Sequence, residues 1–460
     1  MYELDFNKTA KIHFTGIGGI SMSGLAEIML SKGFTITGSD TRKSAITEKL
    51  ESLGATIYYN QISSNVADDC EVLVYTAAVK EDNPELVAAK NLNIPLLSRA
   101  QFLGQMMKNY DISIAVAGTH GKTTTTSMLS QIMLDAGLDP TILVGGIMPT
   151  IQGNIRVGHS SKMITEACEY TNSFLSFCPN VGIILNVAAD HMDFFKDIDD
   201  IRNSFRRFAE LIPENGALIV NSDIDDYEYF TKDLPCKVIT VGSDPEKSDY
   251  SAMNITFDEL AHPSYDLVKK GNVVKRITLK VTGEHNIYNS LAAIAAAHYM
   301  QVCDEDILLG LSNYGGTERR FQYKGSVADV TVIDDYAHHP DEIKATINTA
   351  KHYPHKKLWV VFQPHTYTRT KAFLKEFGEA LSAADEVVLA DIYAAREKNT
   401  IGISSKDVME EVKKHNSNVH YFPTFTEIEK FLLENCNSGD LLITMGAGDV
   451  VKIGEDLLGQ

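Results

Sequence analysis

A run of glycine, lysine and threonine near residue 120 has the residue types that bind a nucleoside triphosphate. Gly118-Thr119-His120-Gly121-Lys122-Thr123-Thr124 follows an apolar run from Ile112 and precedes a helix-like stretch. Glycines let backbone N–H groups approach a polyphosphate, a lysine neutralises the β- and γ-phosphates, and a threonine hydroxyl suits Mg²⁺. Val116 stands where the general pattern has its first glycine, so a shortened phosphate loop fits better. The alternative is a strand-to-helix turn that binds no phosphate.

Two acidic clusters follow later apolar runs. Glu166-Ala167-Cys168-Glu169 comes after residues 163–165, and Asp190-His191-Met192-Asp193 comes after residues 181–187. Because the carboxyl ends of parallel strands meet at one edge of a sheet, Thr123, Glu166 and His191 are expected to converge on one Mg²⁺. Either cluster alone could be an exposed acidic turn. Together with the phosphate loop, the clusters favour a metal site.

The N-terminal segment carries a second glycine-rich turn. Gly16-Ile17-Gly18-Gly19 separates an apolar run from a helical pattern, and the next strand-like run ends at Gly38-Ser39-Asp40. This order predicts a doubly wound α/β unit that binds a diphosphate at a helix N-terminus. Another strand-like run ends in Thr76-Ala77-Ala78. An NAD-dependent oxidoreductase is an alternative, although Ser21 occupies the third glycine position of that fingerprint.

Polar and charged residues follow four strand-like runs in the last third of the chain. Because buried polar groups are costly unless hydrogen-bonded or solvated, these residues predict a small-molecule site at a third sheet edge. Asn286 and Asn289, at the start of an alanine-rich helix, are interpreted either as helix caps or as amides that recognise a base. The four segments are residues 334–340, 363–370, 391–397 and 445–449.

The positions of these motifs predict an α/β protein of three domains. A chain of 460 residues accommodates about three domains. A polar break near residues 108–111 and the pair Gly315-Gly316 predict the boundaries. The expected domains are residues 1–109, Rossmann-like; 110–316, a P-loop mononucleotide-binding α/β domain; and 317–460, again Rossmann-like.

The amino-acid composition limits the classes of molecule that the protein is expected to bind. With 42 basic and 61 acidic residues, the net charge is −19, which argues against binding to nucleic acid or to an anionic membrane. The six cysteines include no Cys-x-x-Cys pair, which indicates reduced, structural thiols. No apolar run approaches the about 20 residues that span a bilayer, and the N-terminus has no signal-type core, so we expect a soluble, cytoplasmic protein.

In combination and in order, the motifs resemble those of the Mur ligase family, the ATP-dependent enzymes that build the peptide stem of bacterial peptidoglycan. The resemblance spans nearly the whole chain and includes Arg319-Arg320-Phe321 and the run Asp334-Asp335-Tyr336-Ala337-His338-His339-Pro340. It is strongest to members that add the first amino acid. It implies that the N-terminal domain binds UDP-N-acetylmuramate, the central domain ATP with Mg²⁺ (Mn²⁺ as a substitute), and the C-terminal domain L-alanine, in a monomer or weak homodimer.

The resemblance also assigns residues to each site. It implies that Lys122, Glu166, His191 and His338 are catalytic and that Thr123, Glu166 and His191 hold the metal. Tyr336, His338, His365 and Arg369 would surround the amino acid, with Arg369 binding its carboxylate through paired hydrogen bonds. The UDP-sugar site would comprise Gly16, Gly18, Gly19, Ser39, Asp40, Thr76 and Ala77. The ATP site would comprise Gly118, Thr119, His120, Gly121, Lys122, Thr123, Thr124, Asn286, Asn289, Arg320 and Asp335.

The implied reaction activates a carboxylate. The lactyl carboxylate attacks the γ-phosphate of ATP to give an acyl phosphate, and the alanine amine then displaces phosphate; His191 and His338 are the candidates for accepting the amine's proton. Two other functions stay open, namely a murein-tripeptide ligase and a UDP-sugar or nucleotide-binding protein without catalysis. Because the substrates arrive on separate domains, a closing motion is expected.

Overall fold

The computed structural model of the chain describes residues 2–192, 194–395 and 397–460, and the strands within these ranges form three sheets that follow one another along the chain. Helices pack on each sheet around buried apolar residues. The predicted three-domain α/β fold is confirmed. The boundaries expected near residues 109 and 316 fall between successive sheets and stay predictions. None of the helices in the described part combines the length and apolar character needed to cross a bilayer.

The first sheet is parallel and has the strand order β3-β2-β1-β4-β5. The order reverses beside β1, so the loops after β1 and β4 flank the crevice in which doubly wound sheets bind ligands. The elements are β1 (Lys11–Thr15), α1 (Ile20–Ser31), β2 (Thr35–Ser39), α2 (Ala45–Ser52), β3 (Thr56–Tyr58), β4 (Val72–Tyr75), α3 (Pro84–Asn91), β5 (Leu96–Ser98) and α4 (Arg99–Met107).

The second sheet has a parallel centre and antiparallel edges. Its elements are β6 (Ile112–Ala117), α5 (Lys122–Asp135), β7 (Thr141–Met148), β8 (Gly153–Arg156), β9 (Lys162–Glu166), β10 (Val181–Ile184), α6 (Ile198–Ala209), β11 (Ala217–Asn221), α7 (Glu228–Thr231), β12 (Lys237–Val241), β13 (Tyr250–Phe257), β14 (Pro263–Lys269), β15 (Asn272–Thr278), α8 (His285–Tyr299) and α9 (Asp304–Asn313). The strand order is β15-β14-β13-β12-β11-β10-β6-β9-β7-β8.

The antiparallel edge formed by β13, β14 and β15 was not predicted. All residues of β15 except Ile277 are exposed, so the strand lacks the apolar run that marks a buried strand in a sequence. The parallel centre was predictable because β6 and β10 are buried and largely apolar, and β9 has the buried apolar pair Met163 and Ile164. This centre is the part that carries the phosphate loop and the acidic segments.

The third sheet has the order β16-β17-β21-β18-β19-β20, with only β16 antiparallel to its neighbour within the described ranges. Because β17, β21 and β18 are adjacent, the polar segments after them meet at one edge. The elements are β16 (Gln322–Val327), β17 (Val330–Asp335), α10 (Pro340–Ala350), β18 (Leu358–Phe362), α11 (Tyr367–Ala372), α12 (Leu374–Leu381), β19 (Glu386–Leu389), α13 (Ser405–Lys413), β20 (Val419–Tyr421), α14 (Phe425–Asn435), β21 (Leu441–Met445) and α15 (Val451–Leu458).

Candidate active site

The phosphate loop joins β6 to α5 in a conformation that favours glycine. Gly118 and Gly121 have φ angles of 145° and 85°. A Cβ on Gly121 would lie 2.5 Å from Oδ1 of Asn289, and one on Gly118 would lie 2.9 Å from Cβ of Leu185. Gly121 is the N-cap of α5. Because glycine offers no capping side chain, the first N–H groups of α5 can bind an anion.

Lys122 begins α5 and is enclosed by oxygen atoms. Its Nζ donates to the carbonyls of Gly118 and Thr119 and, at 3.0 Å, to the carboxylate of Glu169. Burial opposes the charged form, but the neighbouring Glu169 carboxylate outweighs it and raises the pKa of Lys122. Lys122 is therefore a buried positive charge at the loop.

His191 stands between two carboxylates. Its Nε2 lies 3.8 Å from Oε1 of Glu169 and 3.7 Å from Oδ2 of Asp190, and its ring packs 4.6 Å from that of Tyr170. Burial lowers the pKa of His191, and the two carboxylates offset this shift only in part. Its φ of 55° is uncommon for a residue with a side chain and costs about 1 kcal/mol or more. The backbone thus holds a neutral imidazole at this position.

The side chains of Thr123 and Glu166 provide oxygen donors near the loop. Glu166 ends β9, and its Oε1 accepts the backbone N–H of Gly145. Hydroxyl and carboxylate oxygens are ligands that Mg²⁺ prefers, whereas the imidazole of His191 better suits zinc-like metals. The oxygen donors therefore fit magnesium. Asp193, the last residue of the predicted acidic segment, lies outside the described residues.

The asparagines predicted to reach the base lie in the first turns of α8. Asn286 donates through Nδ2 to the carbonyl of Thr282 at 2.7 Å, and Asn289 donates through Nδ2 to Oδ1 of Asn286 at 2.9 Å. These bonds orient Oδ1 of Asn289 toward Gly121. The asparagines are thus fixed next to the phosphate loop.

Arg320 and Asp335 face the loop from the C-terminal domain. The Arg320 guanidinium lies 5.1 Å from the centre of the Tyr336 ring. The Asp335 carboxylate accepts the N–H groups of Phe321 and Ala337 at 2.9 and 2.7 Å. Burial raises the pKa of Asp335 to about 6, although Arg320 opposes the shift. Both residues line the same cavity as the loop.

A cavity of about 560 Å³ between the central and C-terminal domains collects most of the predicted nucleotide and catalytic residues. Its volume lies within the range usual for small-molecule sites. Tyr336, His365 and Arg369 do not line it. The predicted residues that do are Thr119, His120, Gly121, Lys122, Thr123, Thr124, Glu166, His191, Asn286, Asn289, Arg320, Asp335 and His338.

The residues predicted to hold the amino acid cluster beside this cavity. The His338 ring lies 5.4 Å from Tyr336 and 5.8 Å from His365. Nδ1 of His338 donates to the Tyr336 carbonyl at 3.0 Å, and burial lowers the pKa of His338 to about 4. Nδ1 of His365 is buried without a hydrogen-bond partner among the described residues. Arg396, in the adjacent predicted segment, lies outside the described residues.

Arg369 reaches across the domain boundary. Its Nη2 donates to Oδ1 of Asp190 at 3.0 Å, and both side chains are largely buried. Burial would raise the pKa of Asp190, but Arg369 and His191 lower it to about 2. Arg369 thus already binds one carboxylate, and its remaining N–H groups can bind another.

Glu342 was missed by the sequence reasoning. Its Oε1 lies 3.2 Å from Nδ1 of His120, and its Oε2 accepts the backbone N–H groups of His338 and His339. Burial would raise the pKa of Glu342, but His338 and His120 lower it well below its ordinary value. A signal was present, since Glu342 stands three residues after the N-cap of α10, a capping-box position.

The predicted UDP-sugar residues lie at the carboxyl edge of the first sheet. The N–H of Gly18 donates to Oδ2 of Asp40 at 2.8 Å. A Cβ on Gly16, whose φ is 82°, would lie 2.6 Å from Cγ2 of Thr76. Gly19 is the N-cap of α1, and Ala77 is exposed beyond β4. The glycine turn, Asp40 and Thr76 are therefore in contact.

Ser39 departs from its expected position facing the UDP group. Its side chain is fully buried, and its hydroxyl donates to Oε2 of Glu85 at 2.7 Å. Glu85 also accepts from Thr15 and Asn65, each at 2.7 Å. Since buried polar groups need partners, the hydroxyl of Ser39 serves this interior network. It does not face the crevice in this conformation.

Models of three protein domains match the chain in succession. Residues 11–111 match the Mur ligase family, catalytic domain; residues 116–297 match the Mur ligase middle domain; and residues 319–448 match the Mur ligase, glutamate ligase domain. The chain is 59% identical to the UDP-N-acetylmuramate–L-alanine ligase of Lachnospira eligens and 58% identical to that of Agathobacter rectalis. Each alignment covers 100% of both chains.

A solved structure with the same arrangement is the UDP-N-acetylmuramate–alanine ligase of Thermotoga maritima. It matches with a TM-score of 0.80 and 28% identity, over 98% of each chain. A murein peptide ligase of Psychrobacter arcticus matches with a TM-score of 0.71 and 25% identity, also over 98% of each chain.

Proposed function

This chain belongs to the Mur ligase family, and we propose that it is the ATP-dependent ligase that joins L-alanine to the lactyl carboxylate of UDP-N-acetylmuramate. The observation that carries the proposal is the cavity in which the phosphate loop, with Lys122, faces Arg320, Asp335 and His338. A non-catalytic nucleotide-binding protein needs the loop but not these facing groups. The names of the full-length relatives support L-alanine and UDP-N-acetylmuramate as substrates.

Each substrate is assigned to one domain. Residues 1–109 bind the UDP-sugar, with its diphosphate at Gly16, Gly18 and Gly19. Residues 110–316 bind ATP, with its phosphates at the N-terminus of α5. Residues 317–460 bind L-alanine and complete the nucleotide site. We expect the enzyme to act in the cytoplasm as a monomer or weak homodimer, without nucleic acid or membrane partners.

The first step makes the acyl phosphate. A lactyl carboxylate oxygen attacks the γ-phosphorus of ATP, the bond to the β–γ bridging oxygen breaks, and ADP leaves. Lys122 and the first N–H groups of α5 neutralise the phosphate charge, so catalysis is mainly positioning and electrostatics. Mg²⁺, or Mn²⁺ in its place, held by Thr123 and Glu166, would supply further charge neutralisation. Glu169 keeps Lys122 in its charged form.

The second step makes the amide bond. The amine nitrogen of alanine attacks the acyl carbon, the carbon–oxygen bond to phosphate breaks, and inorganic phosphate leaves. The N–H groups of Arg369 that do not bind Asp190 hold the alanine carboxylate. His338 donates through Nδ1, so its Nε2 can accept from the amine. His191 is the other neutral acceptor, since burial lowers the pKa of both rings.

The test is phosphate release from ATP and Mg²⁺ with UDP-N-acetylmuramate. Each amino acid is added separately, and then the tripeptide L-Ala-γ-D-Glu-meso-diaminopimelate. Release that requires L-alanine supports the proposal. Release only with the tripeptide would make the chain a recycling ligase, and no release with any acceptor would leave a binding protein.

A further inference from the structure

His120, His339 and Asp341 form a cluster where the phosphate loop meets α10. One nitrogen of each imidazole and one oxygen of Asp341 lie within 4.8 Å of one another. The two rings have centroids 5.1 Å apart, and Nδ1 of His339 lies 3.7 Å from Oδ2 of Asp341. Two imidazoles and a carboxylate at this spacing need only small side-chain shifts to bind one metal ion.

In each histidine ring, one nitrogen already forms a hydrogen bond with the protein. Nδ1 of His120 lies 3.2 Å from Oε1 of Glu342, and Nε2 of His339 lies 3.2 Å from the carbonyl oxygen of Ala189. Carboxylate and carbonyl oxygens only accept hydrogen bonds, so these two nitrogens carry the hydrogens. When each ring is in its neutral form, its lone pair therefore resides on Nε2 of His120 and on Nδ1 of His339.

The two lone-pair nitrogens differ in their hydrogen-bond partners. Nε2 of His120 is buried without a hydrogen-bond partner among the described residues. Nδ1 of His339 caps the first turn of α10 and accepts the backbone N–H of Asp341 at a long 3.3 Å, so an ion would have to displace this weak cap. Buried polar atoms without partners are rare, and each calls for an explanation such as an ion. Metal-binding histidines typically donate their other N–H to a carboxylate or a carbonyl, as both rings do here.

We propose that His120, His339 and Asp341 bind one divalent transition metal ion of the zinc or cobalt type, which bridges the phosphate loop and the start of α10. This site goes beyond the proposed ligase activity and uses none of the proposed Mg²⁺ ligands, Thr123 and Glu166. Two nitrogen donors and one carboxylate suit Zn²⁺ or Co²⁺, whereas Mg²⁺ prefers oxygen ligands. The Asp341 side chain is 55% exposed, so the ion has access from solvent.

The site would link two domains. His120 lies in the central domain, while His339 and Asp341 lie at the beginning of α10 in the C-terminal domain. An ion bound by all three would hold the domains in the arrangement seen here. The three protein ligands leave one tetrahedral position, which water or an anionic ligand can fill.

Cobalt provides the direct test. Co²⁺ is titrated into the full, untagged chain in excess Mg²⁺ and without nucleotide, and the visible absorption of tetrahedral Co²⁺ is recorded; Zn²⁺ affinity is then measured by competition. We expect one equivalent to bind. Losing a partner outside the ligand shell weakens metal binding about 10–100-fold, so losing a ligand in Asp341→Asn or His120→Gln should weaken it at least about 100-fold. The matched control, Glu166→Gln, should bind as the wild type does.

The opposite pattern would overturn the proposal. Absence of tetrahedral Co²⁺ in the wild type, or binding that survives Asp341→Asn and is lost in Glu166→Gln, would rule the site out. Thermal unfolding provides a second readout, because a ligand of the native state raises Tm. Zn²⁺ should raise the Tm of the wild type and not that of Asp341→Asn, whose metal-free Tm should match the wild type because the side chain is largely exposed. Equal shifts in both proteins would also refute the proposal.

Discussion

Lys122 shows how a single charge can be prepared for phosphoryl transfer before ATP binds. Its ammonium is buried, held by two loop carbonyls and paired with Glu169 at 3.0 Å. A lysine in this setting loses little freedom when phosphate replaces one of its partners. Lys122 should therefore lower the barrier of the chemical step and contribute nothing to binding of the UDP-sugar, which lies on another domain.

The first prediction concerns this charge. Lys122→Ala should lower kcat for phosphate release by at least about 10²–10³-fold, the usual cost of removing one group that stabilises developing charge. Binding of UDP-N-acetylmuramate, measured by calorimetry, should be unchanged. Lys247→Ala is the matched control, because Lys247 forms an exposed ion pair with Asp244. Retained turnover in Lys122→Ala would contradict the role assigned to this residue.

The second prediction concerns His338. Burial lowers its folded pKa from 6.5 to about 4, so the unfolded chain binds a proton more readily between these values. Stability is therefore lost as the pH falls from 6.5 towards 4, by about 2 kcal/mol between pH 6.5 and 5, or roughly 4–8 °C in Tm. His338→Gln keeps a donor for the Tyr336 carbonyl but cannot titrate. Its Tm should fall less over this range, as calorimetry can measure.

An exposed histidine provides the control for the stability measurement on His338→Gln. His415 lies on the surface after α13, so His415→Gln should follow the wild-type pH profile. If His338→Gln lost stability on acidification as steeply as the wild type, a different group would be responsible.

The ion pair of Arg369 marks a limit of sequence reasoning at the residue scale. The family resemblance assigns Arg369 to the alanine carboxylate, because a guanidinium binds a carboxylate through paired hydrogen bonds. It could not predict that Asp190, 179 positions away, is the carboxylate bound here. Ser39 was misjudged for the same reason, since its partner Glu85 comes from another element, and the contact of Glu342 with His120 was equally out of reach.

The secondary-structure elements were easier to predict from the sequence than the bonding partners of individual side chains. The loops after β1, β6 and β17 were expected to carry ligand-binding residues, because parallel strands bring their carboxyl ends to one edge. The buried strands that support these loops have apolar runs that can be recognised in the sequence. The exposed strand β15 has no such run, and the antiparallel edge it forms was missed for that reason.

The third prediction tests the phosphate loop as an element. Gly121 and Gly137 both have positive φ angles, 85° and 68°, so alanine at either position should cost about 1 kcal/mol of stability or somewhat more. Only at Gly121 would the new Cβ clash, 2.5 Å from Oδ1 of Asn289; near Gly137 nothing lies within 4 Å. Gly121→Ala should therefore raise the KM for ATP at least about tenfold, a change of about 1.4 kcal/mol.

Gly137→Ala is the matched control for backbone strain, and its KM for ATP should equal that of the wild type. Steady-state kinetics with saturating UDP-N-acetylmuramate and L-alanine would provide both values. Equal values of KM in the two variants would show that the contact of residue 121 with Asn289 does not govern ATP binding.

At the scale of the whole molecule, the candidate site is assembled from separate domains. The phosphate loop and His191 come from the central domain, whereas Arg320, Asp335 and His338 come from the C-terminal one. The pair Arg369–Asp190 and the contact of Glu342 with His120 already join these two domains. The glycine turn at Gly16 to Gly19 lies on a third domain, so the lactyl carboxylate must be carried to the γ-phosphate of ATP.

The fourth prediction follows from this separation. A single compact body of 460 residues has a radius of gyration of about 23 Å. We expect a larger value for the ligand-free protein in small-angle scattering, and a decrease towards 23 Å when a non-hydrolysable ATP analogue and UDP-N-acetylmuramate bind together. At analogue concentrations that saturate only the wild type, the radius of gyration of Gly121→Ala should not decrease. If the wild type kept its radius with both ligands bound, the substrates would have to meet without domain closure, and the division of the reaction among three moving domains would be wrong.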